Sequence, residues 1–130
     1  MIVLDTHVWI WWVEDHPRLK RSVRDRIDSE NDVRVSAISL LEIATAISLS
    51  RLTLKPTPRH WLEVAQNAEQ IRIEPLTYSI CLESTNLPGE FHRDPADRLI
   101  VALARKLDVE LVTADQKILA YSSVTSLAAE

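Results

Sequence analysis

Ile2-Val3-Leu4-Asp5-Thr6-His7-Val8-Trp9 is the stretch from which the fold is read. Three apolar residues in a row read as a short buried strand ending at Asp5, and the apolar run at residues 8–13 continues as a short helix. An acid therefore stands where a strand gives way to a helix.

The same alternation repeats outward along the chain. Pro17 is expected as the first residue of a helix over about residues 18–29. Its apolar positions Leu19, Val23 and Ile27 recur every four residues among charged neighbours, the pattern of a surface helix with one narrow buried stripe. Val33-Arg34-Val35 reads as a second strand. Ser39 is expected to cap a helix over residues 40–49, with Glu42 as the acid of a capping box. Thr57 and Pro58 cap and open a helix reaching about Gln70. Residues 71–76 read as a third strand and residues 79–84 as a short helix. After the loop 87–93, Asp94-Pro95 opens a strong helix that runs to Leu107. Residues 110–113 form a fourth strand, 115–121 a short helix, and 123–126 a short last strand.

Strands alternating with helices, without repeats or low-complexity segments, imply a parallel sheet covered on both faces. The expected architecture is α/β: a single domain over residues 1–130, a three-layer α/β/α sandwich with a central parallel sheet of four to five strands. Ligands in such folds bind beyond the carboxyl ends of the strands, so the residues just past each strand carry the function.

Composition narrows the choice. A chain of 130 residues suffices for a real core, and 46% hydrophobic with 26% charged residues is ordinary for a globular protein. A single glycine excludes Gly-rich phosphate loops of the nucleotide-binding kinds. Cys81 is the one cysteine, so no internal disulfide or Cys/His zinc cluster forms; it is expected in the core. Apolar runs are too short to span a bilayer, and the N-terminus lacks the basic start of a secretory signal. These features fit a reducing, cytoplasmic setting. A net charge of −4 argues against whole-surface nucleic-acid binding but leaves room for an acidic site beside a local basic patch.

Four separate stretches deliver a carboxylate to the same sheet edge. Asp5 ends the first strand and Asp115 lies just beyond the fourth. Glu42 and Asp97 sit early in helices that begin at that edge, each on an apolar stripe. Burying a charge there is costly without a partner, and clustered carboxylates repel one another. A divalent cation answers both problems. Hard oxygen donors without cysteine point to Mg²⁺ or Mn²⁺ rather than zinc. Such a site can polarise a phosphodiester and activate water. Each acid has a second reading as a helix cap or a partner of the helix dipole. For Asp94, before Pro95, capping comes first, with a contribution to the site still open.

These residues resemble the PIN-domain family, and specifically VapC-type toxins of bacterial toxin–antitoxin pairs. The likeness rests on Asp5-Thr6-His7-Val8-Trp9, on residues 36–44 around Glu42, on residues 92–102 around Asp97, and on Leu111-Val112-Thr113-Ala114-Asp115. It implies a metal-dependent endoribonuclease, a homodimer, and a small VapB-type antitoxin as partner. Asp5, Glu42, Asp97 and Asp115 match the family's acidic quartet, and Thr113 matches a polar residue beside the last acid. Leu41 stands where related sequences often carry Trp, a change expected to affect packing.

Other residues have paired readings. The basic stretch Arg18, Lys20, Arg21, Arg24, Arg26 and the group Arg51, Lys55, Arg59 are phosphate contacts or solvated faces. Arg93 and Arg98 flank the acids; Arg98 is a phosphate clamp or a structural partner. Trp9, Trp11, Trp12 and Trp61 are core, an exposed patch for antitoxin or second subunit, or stacking platforms. His7 is a structural hydrogen-bonding residue or a substrate contact, and His92 a candidate phosphate contact; His16 and His60 read as surface positions. A response-receiver-like module would need adjacent acids after the first strand and an Asp after the third, and a dehalogenase-type phosphatase an Asp at position 7; neither condition is met. What remains beside a toxin nuclease is a PIN-like protein that binds RNA with little turnover, or a housekeeping PIN nuclease without antitoxin.

Overall fold

The computed structural model describes residues 1–130. Its five strands are β1 (Ile2–Leu4), β2 (Val33–Ser36), β3 (Ile71–Glu74), β4 (Leu111–Thr113) and β5 (Ser126–Ala128). All pair in parallel, in the order β3-β2-β1-β4-β5. The helices are α1 (Thr6–Val13), α2 (Arg21–Ser29), α3 (Ala37–Ser48), α4 (Pro58–Gln66), α5 (Tyr78–Thr85), α6 (Pro95–Leu107) and α7 (Gln116–Leu119). This is the expected α/β/α sandwich.

Alternation along β1 explains the layers. Ile2 and Leu4 face a core completed by Trp9 of α1, Val23 and Ile27 of α2, and Trp61 of α4. Val3 faces the opposite way, into a second core with Leu111, Ile80 of α5 and the buried run from Ile100 to Ala104 of α6. Every residue of β1 and β4 is buried, as a sheet covered on both faces requires. Strand order reverses at β1: the chain first builds outward through β2 and β3, then returns to lay β4 on the other side. The crevice beyond the carboxyl ends of β1 and β4 is therefore the topological switch point, where open α/β sheets bind ligands.

Several local expectations are corrected. Residues 17–19 form a turn, so α2 starts at Arg21 and Pro17 stays outside it. Ser36, not Ser39, caps α3, accepting the Ile38 N–H; Glu42 thus lies in the second turn and closes no capping box. The helix after Thr57-Pro58 stops at Gln66. The last strand is β5, beginning where the expected one ended, because Leu111 N–H bonds Thr125 O and fixes the register there. Cys81 is exposed rather than in the core. No helix is long and apolar enough to cross a membrane.

Candidate active site

The rim above the switch point is built from strand ends and helix starts. Asp5 follows β1 and caps α1, with Oδ1 accepting Thr6 N–H at 2.8 Å. Thr113 closes the neighbouring β4, is fully buried, and donates its hydroxyl to Asp5 Oδ2 at 2.6 Å. The Thr113 hydroxyl oxygen also accepts Asp115 N–H at 3.0 Å. Asp115 in turn caps α7 by accepting Lys117 N–H at 2.8 Å. Three expected site residues thus lie on one hydrogen-bonded path across the crevice.

Glu42 joins from α3. Thr6 Oγ1 donates to Glu42 Oε1 at 2.5 Å and stands 2.7 Å from the buried Ser39 Oγ. A hydroxyl has one proton, so with that of Thr6 directed at Glu42, Ser39 is the donor to Thr6. Sequence reasoning missed Thr6 and Ser39 as members of the site. A signal for them exists: Ser39 and Glu42 are three apart and share a helix face.

Asp97 lies in the first turn of α6. Asp94 caps that helix with one oxygen, accepting Ala96 N–H at 2.9 Å and Asp97 N–H at 3.1 Å. His92 Nε2 stands 3.0 Å from Asp97 Oδ2.

These acids share one electrostatic space. Burial, and then the negative charges of Asp5, Asp94, Asp115 and Glu42, push Asp97 up to about 7. Glu42 is raised by burial, with Asp5 and Asp94 adding and the Thr6 hydrogen bond opposing. Asp5 is raised because burial outweighs its bonds from Thr113 and Thr6. Such a cluster favours any cation that enters it.

The fit to a metal turns on donor chemistry and spacing. All donors are hard oxygens. No three His, Cys, Asp or Glu side chains stand together as an ion-holding set. Asp5, Glu42 and Asp115 are each engaged by hydrogen bonds of their own. A closed zinc-type cage does not fit this arrangement, but Mg²⁺ keeps several waters and takes only one or two carboxylates plus substrate phosphate. The residues fit a hydrated hard divalent cation.

The basic residues divide. Arg98 donates to the carbonyls of Ser84 (2.7 Å), Phe91 (3.0 Å) and His92 (3.2 Å), so it is the structural partner of the 84–92 segment. In and before α2, Arg18 pairs with Glu130, Arg21 with Asp25, Arg24 with Asp15, and Arg26 with Glu30 and Glu110. That face is largely self-neutralised. Arg51, Lys55, Arg59 and Arg93 are exposed and outside these pairs.

No exposed tryptophan patch exists. Trp9 and Trp61 meet edge-to-face in the core at 6.1 Å. Trp11 is buried against His16 and beneath Arg18, whose guanidinium lies 4.8 Å from the ring, and Trp12 donates Nε1–H to Asp28 at 2.8 Å. Trp11 still contributes to a groove of about 980 Å³ between α1 and α3, lined also by His7, Leu41, Leu49, Glu42 and Asp94. Leu41 is exposed there, so the Trp-to-Leu change leaves the core untouched. His7 is exposed and edge-on to Trp11 at 6.4 Å.

A carboxylate-rimmed switch point on a 32145 parallel sheet defines a class of acidic-site α/β protein, and comparison with known proteins specifies it. The PIN domain family model matches residues 2–123. Ribonuclease VapC22 of Mycobacterium tuberculosis is 35% identical over 117 residues, covering 90% of this chain and 88% of that protein. The chain belongs to the PIN-domain family. The fold is similar to that in the structure of VapBC2 from Rickettsia felis bound to a promoter DNA fragment: TM-score 0.74, 18% identity, all of both chains covered. It is also similar to that in DNA-bound VapBC from Salmonella typhimurium, with TM-score 0.72, 17% identity, and 98% and 96% of the two chains covered.

Proposed function

We propose that this protein is a metal-dependent endoribonuclease and the toxin of a type II toxin–antitoxin pair. The observation that carries the reading is the shared electrostatic space of Asp5, Glu42, Asp97 and Asp115 at the switch point, with Asp97 pushed up to about 7. The 35% identity to a protein named a ribonuclease supports the choice of RNA as substrate.

Asp5, Asp97, Glu42 and Asp115 would hold Mg²⁺ or Mn²⁺. When bound, the ion supplies charge neutralisation at the phosphodiester and a water of lowered pKa. The chain's own residues hold the arrangement ready. Thr113 fixes Asp5 from below the rim, and Thr6, backed by Ser39, fixes Glu42. Asp94 anchors the first turn of α6, which presents Asp97. Preorganised oxygens of this kind need little reorganisation as charge develops on the phosphate. Exposed Arg51 and Arg93 are suited to hold flanking phosphates in the cytoplasm, where such a substrate is met.

The partner reading rests on surfaces. Half of the residues lining the groove between α1 and α3 are apolar, and Glu42 and Asp94 are among the others; a segment of a VapB-type antitoxin lying in it would cover these acids. Tyr78, Leu82 and Leu76, exposed by 80%, 47% and 42%, lie in or just before α5, and a second copy of the chain would bury them.

The experiment is cleavage of a total RNA pool by purified protein with Mg²⁺, Mn²⁺ or EDTA, beside Asp97→Asn. Discrete fragments that need the ion and disappear in the variant are expected. A folded, antitoxin-free protein that cuts nothing while retaining RNA on a filter would replace this reading with inhibition by binding.

A further inference from the structure

His92 is held in place by the helix that carries Asp97. Arg98, the next residue after Asp97, donates to the His92 and Phe91 carbonyls at 3.2 and 3.0 Å. Phe91 is clasped between two rings, 4.5 Å from His92 and 4.7 Å from Tyr121. Tyr121 donates its hydroxyl to Pro88 O at 2.5 Å, fixing the start of the same segment. A loop this anchored gives its histidine a defined position, and that position is against Asp97, with Nε2 3.0 Å from Oδ2.

The contact is short, but it is not a hydrogen bond. Nε2 is buried and makes no well-aligned hydrogen bond, while the carboxylate oxygen beside it is a strong acceptor. A buried donor left in this state favours the small ring rotation that would align it. Contacts of catalytic groups are often poorly aligned before ligand binds and tighten afterwards.

We infer that His92 is a positioning residue for Asp97: once a rotation of the ring aligns it, its Nε2–H holds Oδ2 and leaves Oδ1 free for an ion. The inference rests on the metal-nuclease reading above. Its physical need is clear from the cluster. Asp97 is repelled by Asp5, Asp94, Asp115 and Glu42, and a carboxylate free about its side-chain torsions would turn away from them. A donor held at one carboxylate oxygen opposes that turn. Partners of this kind orient ligating carboxylates and strengthen their hold on an ion. Arg98, which holds the His92 backbone, extends the same support by one further step.

The test measures Mn²⁺ affinity of the RNA-free protein by electron paramagnetic resonance, with melting temperature in EDTA as the control for folding. His92→Phe keeps the ring against Phe91 and removes the donor; its Mn²⁺ affinity is expected to fall about tenfold or more at little change in melting temperature. His92→Gln sets an amide N–H near the lost position and should recover most of the affinity. His92→Met, matched to Gln in length but lacking the donor, repeats the comparison should the Phe variant not fold. Wild-type affinity in a folded Phe or Met variant would overturn the inference and reduce His92 to packing. A wild-type protein that binds no Mn²⁺ would instead overturn the metal reading itself, and this inference with it.

Discussion

Thr113 ends β4 and Asp5 follows the neighbouring β1, and the two meet side chain to side chain, hydroxyl to carboxylate, at 2.6 Å across the switch point. Both are buried. The threonine carries a second duty, since its oxygen also accepts the Asp115 N–H. Thr113→Val keeps the shape and removes both bonds, leaving a buried carboxylate one donor short. The expected cost is about 1.5–3 kcal/mol in urea unfolding, with Thr113→Ser losing much less. Equal stability of the Val and Ser variants would show that the hydroxyl contributes nothing to the fold.

Removing the charge of Asp97 is expected to stabilise the metal-free protein. Its carboxyl is raised from 3.8 to about 7 in the folded state. The folded protein therefore holds this proton more tightly than the unfolded chain. The associated stability is fully present below about pH 4 and is lost as pH rises through 7. In EDTA at pH 8, Asp97→Asn should unfold later than wild type by on the order of 1–2 kcal/mol, after discounting for solvent screening. At pH 4 the gap should close. Saturating Mn²⁺ should reverse the order, because only wild type gains fully from binding.

Arg98→Ala leaves three carbonyls without their cation, and Lys cannot reach all three with one ammonium. Both variants are expected to lose about 2–4 kcal/mol by thermal or urea unfolding. If Arg98 instead clamps substrate, the loss will appear in RNA affinity with stability unchanged.

The two readings of the basic residues separate by salt dependence. Arg93 is exposed and outside any ion pair, beside Asp94, whereas Arg21 is paired with Asp25 on a remote face. Arg93→Ala should reduce the slope of log affinity for RNA against log salt by about 1, and Arg21→Ala should leave it unchanged. Matching slopes for both variants would remove Arg93 from the RNA path.

Much of the fold is legible in the sequence because a few local signals have one physical solution. Asp94-Pro95 and Thr57-Pro58 can hardly be anything but helix starts, and Ile2-Val3-Leu4 before Asp5 set the central strand. The start of α3 misleads for an instructive reason. Ser39 and Glu42 have capping-box spacing, but the same spacing aligns two side chains on one face inside a helix. Tertiary contact decides between them: β2 runs on to Ser36, and the Ser39 hydroxyl turns to Thr6. Cys81 departs from its expected core position, whereas the tryptophans settle on the core among their open readings. Cys81 lies on the outer face of α5, while three of four indoles find core partners that periodicity alone does not assign. The Asp5–Thr113 contact spans 108 positions and depends on strand order, which no local pattern encodes.

Asp5 and Asp115 serve as helix caps through a single oxygen each. Asparagine keeps that oxygen and caps about as well; at Asp115, whose carboxylate accepts only the cap bond, the exchange erases the charge and spares the fold, whereas at Asp5 it also replaces the oxygen that accepts from Thr113. Aspartate and asparagine codons differ by one base. If the protein inhibits growth as proposed, this makes disarmament genetically cheap. On that reading, cells escaping an unneutralised copy should collect Asp-to-Asn changes at the Asp115 codon, and those alleles should still encode a folded chain. Sequencing survivors of forced expression, and asking which retain full-length protein, would reveal that bias.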